Sequence, residues 1–134
     1  YILSIYSTNG NISNNNFSGN DGLLLNGNGL FIGSNNFSVS SNTLVQTNGY
    51  DNYTIINNYF KQDSKLKFIN GQNYNLSNNI AYGASTANFT NITSLTFSPL
   101  TNWVVNRFWY ADVYVNDSGG NAMSNANVTV LLSL

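Results

Sequence analysis

Hydroxyl nucleophiles are plentiful in this 134-residue chain, yet no histidine, cysteine or glutamate accompanies its serines and threonines. The conventional base that activates a serine, the thiolate nucleophile and the usual zinc ligands are therefore missing together. The carboxylates are five aspartates, at positions 21, 51, 63, 112 and 117, and the cations are Lys61, Lys65, Lys67 and Arg107. Four cations cannot neutralise a row of phosphates, and a net charge of −1 draws the chain to neither nucleic acid nor anionic membranes. Asp112 and Asp117 stand near a turn signal, but two carboxylates make a poor oxygen cage for calcium, so Asp117 is expected to cap its own turn. The residues thus give no catalytic set, no cofactor site and no metal site, and the chain is expected not to be an enzyme.

Asparagine offers more chemistry, with 28 residues in 134. Nine stand in the glycan-acceptor pattern N-x-S/T: Asn11, Asn16, Asn36, Asn52, Asn75, Asn88, Asn91, Asn116 and Asn127. Composition alone accounts for about five such triplets, so the excess is modest. Asparagine, serine and threonine are simply frequent here, and several of the nine are expected inside the fold, where a glycan could not fit. Exposed ones are expected to carry glycans, foremost Asn52, Asn88 and Asn116, which fall between strands or in turns. The nine Tyr, eight Phe and two Trp could include a sugar-stacking face, with Trp103, Trp109 and Tyr110 its best candidates. The larger expectation is that these aromatics are core or strand-surface residues of a β protein.

An internal repeat supplies the elements that must position these groups. The segments Ile12-Ser-Asn-Asn-Asn-Phe17, Ile32-Gly-Ser-Asn-Asn-Phe37 and Ile55-Ile-Asn-Asn-Tyr-Phe60 share an aliphatic residue, an asparagine pair and an aromatic, and Leu76-Ser-Asn-Asn-Ile-Ala81 is a weaker copy. The leading aliphatics lie 20, 23 and 21 residues apart. A second apolar cluster follows each one: Leu23 to Leu25, Leu44 with Val45, Leu66 with Phe68, and Ala87 with Phe89. This period, with short strands and no helical spacing, predicts a parallel β-solenoid whose coils stack about 4.8 Å apart. Ile12, Ile32, Ile55 and Leu76 would then form one inner column, and Phe17, Phe37 and Phe60 another. Five residues separate Ile from Phe, so a flat strand would place them on opposite faces. The asparagine pair between them predicts a left-handed corner that turns both inward, with asparagine side chains hydrogen-bonded from coil to coil. Gly10, Gly22, Gly29, Gly49, Gly71 and Gly83 punctuate the other corners.

Residues 10 to 97 resemble the right-handed parallel β-helix repeats of pectate-lyase-like proteins with an internal asparagine ladder, especially those of archaeal and bacterial surface proteins. That resemblance implies an all-β fold, here a short right-handed β-helix of about four coils over residues 10–101. It says little about activity, since the same coil carries lyases, hydrolases and adhesins. The lyases of this group use clustered aspartates for calcium and a basic residue as proton acceptor. Asp21 and Asp63 occupy nearly the same place in their coils, but two coils separate them by roughly 10 Å and serines fill the coil between, so that cluster does not carry over.

From Asn102 the pattern changes. Trp109, Ala111, Val113 and Val115 alternate with Tyr110, Asp112, Tyr114 and Asn116, Asp117-Ser-Gly-Gly signals a turn, and Val128, Val130 and Leu132 begin a second alternation. Residues 102–134 resemble the start of an immunoglobulin-like module and predict a β-hairpin or partial β-sandwich. Residues 1–9 predict an extra strand or cap. Strand edges and solenoid ends need covering. Either the chain caps itself, or a neighbouring subunit completes it as a homo-oligomer, in the extreme as a sandwich finished by a donor strand. Lys65 and Lys67, flanking Leu66, predict an outward-facing charged pair.

No apolar run is long enough to span a bilayer, there is no basic leader, and the first residue is Tyr1, so a processed product or an excised fragment is expected. Only 7% of residues are charged. Neutral amides can hydrogen-bond along a stack in which charged copies about 4.8 Å apart would repel, and few carboxylates suit an acidic exterior. The functional expectation is an extracellular or cell-surface, non-enzymatic structural or adhesive protein, self-assembling into a filament or surface layer and N-glycosylated. The alternative is a carbohydrate-binding or carbohydrate-active β-helix.

Overall fold

The computed structural model describes residues 3–19, 22–39, 41–98, 101–108 and 116–123. Twelve strands run in chain order: β1 (Leu3–Tyr6), β2 (Asn11–Ser13), β3 (Asn16–Gly19), β4 (Leu23–Asn26), β5 (Phe31–Gly33), β6 (Asn36–Val39), β7 (Ser41–Gln46), β8 (Thr54–Ile56), β9 (Tyr59–Phe60), β10 (Ser64–Ser77), β11 (Ile80–Phe97) and β12 (Thr101–Phe108). Every pair among them is parallel, and no helix interrupts the described residues. The fold is an all-β parallel solenoid of about five turns.

Three columns of strands form its walls. In the first, Leu3, Leu23, Leu44, Leu66, Ala87 and Val105 are successive rungs. The second stacks Ile12, Ile32, Ile55 and Leu76, and the third Phe17, Phe37, Phe60 and Ala81. Both inner columns read from the repeat are thus present residue for residue. Phe17 on Phe37 and Phe37 on Phe60 stack with ring centroids 5.0 Å apart, and Trp103 meets Phe60 edge-on at 5.2 Å. Ile32, Phe37, Ile55, Phe60 and Leu76 are fully buried. A second aromatic group holds the opposite corner, with Tyr53 on Tyr74 at 5.0 Å and Phe68 on Phe89 at 5.5 Å.

The stack is longer at both ends than four coils. β1, within the segment expected as a cap, pairs in parallel with β4 and is itself the first rung of its column. β12 continues the column on β11, so the solenoid runs through Phe108, past the change of pattern at Asn102. That last step is only 18 residues, from Ala87 to Val105, and the register slips between Ile80 and Ser85. The shortened coil breaks the 20-to-23-residue spacing and so hides its kinship with the rest. Beyond it, Asn116 and Ala122 form an antiparallel bridge. The remaining residues of the expected hairpin or partial sandwich, 109–115 and 124–134, lie outside the described residues.

Asparagine makes the corners. Asn14, Ser34, Asn57 and Asn78, the first polar residue of each corner pair, have φ of 53° to 58°. At a second corner Asn9, Gly29, Asn52, Asn73 and Ser94 have φ of 50° to 66°. Nine of the twelve described non-glycine residues with positive φ are asparagines, the non-glycine type most at ease there. Glycine takes over where both a left-handed turn and close approach are needed. At Gly49, φ is 73° and a Cβ would come within 2.7 Å of the Asn70 carbonyl.

Candidate functional site

Inside the first corner, the second residue of each pair points inward. The Asn35 Oδ1 accepts from the Asn15 backbone N–H at 3.0 Å and from Asn15 Nδ2 at 3.2 Å. Asn35 donates in the same way to Asn58 Oδ1, at 3.0 Å from both nitrogens, and Asn58 to Asn79 Oδ1, at 3.1 and 3.0 Å. Each Nδ2 also reaches a carbonyl of the wall: Asn35 that of Ile12, Asn58 that of Ile32, and Asn79 that of Ile55. Asn35, Asn58 and Asn79 are fully buried, so this ladder satisfies polar groups that water cannot reach.

None of these ladder asparagines is a glycan acceptor. The expectation that several acceptors lie inside is corrected: Asn11, Asn16, Asn36, Asn52, Asn75 and Asn116 are exposed, and Asn88 and Asn91 are half-buried. Strand alternation explains the placement. In seven of the nine triplets the middle residue is an apolar core-facing one (Ile12, Phe17, Phe37, Tyr53, Leu76, Phe89 or Ile92), which turns its asparagine and hydroxyl neighbours outward. A strand that is apolar inside and uncharged outside writes N-x-S/T by its own patterning.

Asn52 and Asn88 each accept through Oδ1, from Asn73 Nδ2 at 3.0 Å and Asn106 Nδ2 at 2.9 Å. This leaves the attachment atom Nδ2 uncommitted in both. Asn91 instead donates its Nδ2 to Asn70 Oδ1 at 3.1 Å, so one of its two amide hydrogens is already committed there. Asn116 borders the turn, and Asn127 lies outside the described residues.

Asn91 and its partner Thr93 line an open cleft of about 300 Å³ together with Asp51, Asn70, Gly71 and Gln72. The Asp51 carboxylate accepts from the Gln72 backbone N–H at 3.0 Å and from Gln72 Nε2 at 3.2 Å, and so acts as one more rung of an outer ladder. Asp63 is exposed, with φ of 64°, while Asp21 and Asp112 lie outside the described residues. Among the described residues no three carboxylates cluster. The Asp117 Oδ1 accepts from the Gly119 and Asn121 backbone N–H groups at 2.8 and 2.9 Å, which is the expected turn cap. The Asn121 backbone N–H, then its side-chain amide, then Gly119 hold that carboxyl below its ordinary range.

Lys65 and Lys67 face outward around buried Leu66, as the alternation predicts. Of the aromatics proposed for a sugar face, Trp103 is half-buried against Phe60, and Trp109 and Tyr110 lie outside the described residues. The exposed aromatic pair is elsewhere: Tyr59 and Tyr82 stack with centroids 6.2 Å apart. Parity was the available signal, since Tyr59 immediately precedes core-facing Phe60 and must point outward.

Comparisons with protein families, curated proteins and solved structures found no match for this chain.

Proposed function

We propose that this chain is an extracellular, non-enzymatic structural or adhesive surface protein that self-assembles and carries N-linked glycans. The observation that carries the reading is the end rung. Ile5, Ile12 and Phe17 of the first coil are half-buried, whereas their counterparts Leu25, Ile32 and Phe37 one coil on are fully buried. The outer edges of β1, β2 and β3 have no strand partner among the described residues. Such an edge is a template for further pairing, by another coil of the same polypeptide or by a second copy. The charge-poor outer face supports close side-by-side contact, and the outward Asn52 and Asn88 support glycan attachment. An all-aspartate set of carboxylates without histidine supports a non-catalytic role.

Electron microscopy and intact-mass measurement of the native material test both parts. Regular filaments or sheets and a mass above that of the bare polypeptide are the expected results. Stable monomers at every concentration would overturn assembly, and a bare polypeptide mass would overturn glycosylation.

A further inference from the structure

We propose that Tyr59 and Tyr82 form a stacking platform for a neutral glycan chain. This deepens the adhesive part of the reading above by naming a ligand class and a site.

The two rings lie on neighbouring coils, 6.2 Å apart and 23° from parallel. Tyr59 is 45% exposed, Tyr82 72%, and Ile80, the direct strand partner of Tyr59, 37%. Parity drives them outward, because Phe60 and Ala81 beside them are fully buried in the third column. Tyrosine rings left in water this way are an apolar surface with a hydroxyl at one edge.

The surroundings select the occupant. Asn36 pairs directly with Tyr59 on one side, and exposed Asn102 stands on the other, its Nδ2 bonded to the Ala81 carbonyl at 2.7 Å. Amides next to flat rings complement a sugar, which presents apolar C–H faces and a rim of hydroxyls. Lys61 is the cation adjoining the patch, so an anionic polymer has one contact to use and a neutral one needs none. A protein partner fits less well, because a specific interface buries about 800 Å² on each side, far more than three side chains provide. Two near-parallel, offset rings on adjacent coils instead form a stepped apolar surface along which an extended chain can lie.

The test uses unglycosylated full-length protein and the β-1,4-linked hexamers of glucose, N-acetylglucosamine and mannose, titrated by calorimetry and by shifts of the tyrosine ring resonances. At least one hexamer is expected to bind and to perturb Tyr59 and Tyr82. Tyr82→Ala should weaken binding about tenfold, Tyr82→Phe should retain it, and Tyr6→Ala, at an exposed tyrosine elsewhere, should leave it unchanged. No binding by any hexamer, or binding that Tyr82→Ala leaves intact, overturns the platform. Thermal melts of each variant separate loss of binding from loss of fold. Assembly seen by microscopy does not depend on Tyr82, so failure of the platform and failure of self-assembly are distinguishable.

Discussion

The same side chain does two different jobs in this molecule, on the two sides of one wall. The inner asparagines Asn35, Asn58 and Asn79 hold backbone groups together where there is no water, below the exposed first rung at Asn15. The outer pairs, Asn52 with Asn73, Asn70 with Asn91 and half-buried Asn88 with Asn106, make bonds of similar length on the outer side of the wall. Bond length does not separate the two sets. The alternative open to each group does: an outer amide that loses its partner turns to solvent, whereas an inner one leaves buried donors and acceptors unpaired.

Asn58→Ala tests this contrast most severely. It strips acceptors from the Asn35 N–H groups and a donor from the Ile32 and Ile56 carbonyls, and should destabilise the fold by at least about 3 kcal/mol in urea unfolding. A loss below about 1 kcal/mol would erase the distinction between the ladders.

Alkali probes another buried polar group. Burial pushes the Tyr53 and Tyr74 hydroxyls far above their ordinary range, and for Tyr74 the neighbouring Tyr53 and Asp51 add to the effect. A folded pKa above the unfolded value means the stabilisation is complete below about pH 10 and is lost as pH rises beyond it, while the unfolded chain ionises. The urea midpoint should therefore fall above pH 10, and Tyr74→Phe should remove about half of that fall. A flat profile to pH 11 would contradict the burial of both rings.

At the outer ladder, Asn88→Thr removes a surface bond and an acceptor triplet from a strand position that suits a β-branched residue. A change within about 0.5 kcal/mol is expected, and a loss above 2 kcal/mol would make the outer ladder as structural as the inner. The smallest effect should come from acid. The depressed Asp117 carboxyl stabilises its turn above about pH 4 and loses that contribution as pH falls through its folded pKa. That turn is not a rung of the stack, so amide resonances of Gly119 and Asn121 should shift while the unfolding midpoint of the solenoid holds between pH 7 and 3. Cooperative unfolding in that range would count against acid tolerance.

The middle coils were legible in the sequence because each wall position keeps its residue type. Ile12, Ile32, Ile55 and Leu76, or Phe17, Phe37 and Phe60, announce their columns by identity and spacing. The other aromatic corner was harder to see, since Tyr53 and Tyr74 stand at a place that Leu30 and Leu95 fill in adjoining coils. Inward position is kept there and residue type is not. At the ends the period itself fails: β1 lacks a preceding copy to match, and the short step to β12 shifts Trp103 off the repeat. For the candidate sites, the acceptor triplets are readable as letters, but only the parity of each strand separates Asn36, which faces out, from Asn35, which faces in. Tyr59 and Tyr82 needed the same parity and a known fold before their exposure could be read.

One property of the ladders extends to the whole stack. In the inner ladder each coil donates to the coil after it, as Asn35 does to Asn58. In the outer pairs each coil donates to the coil before it, as Asn73 does to Asn52 and Gln72 to Asp51. The amide dipoles of the two sets therefore point in opposite senses along the same axis. A helix sums its peptide dipoles into partial charges at its ends. Here the amide-to-amide bonds of the two columns run in opposite senses, so they do not add along the axis as the peptide dipoles of a helix do.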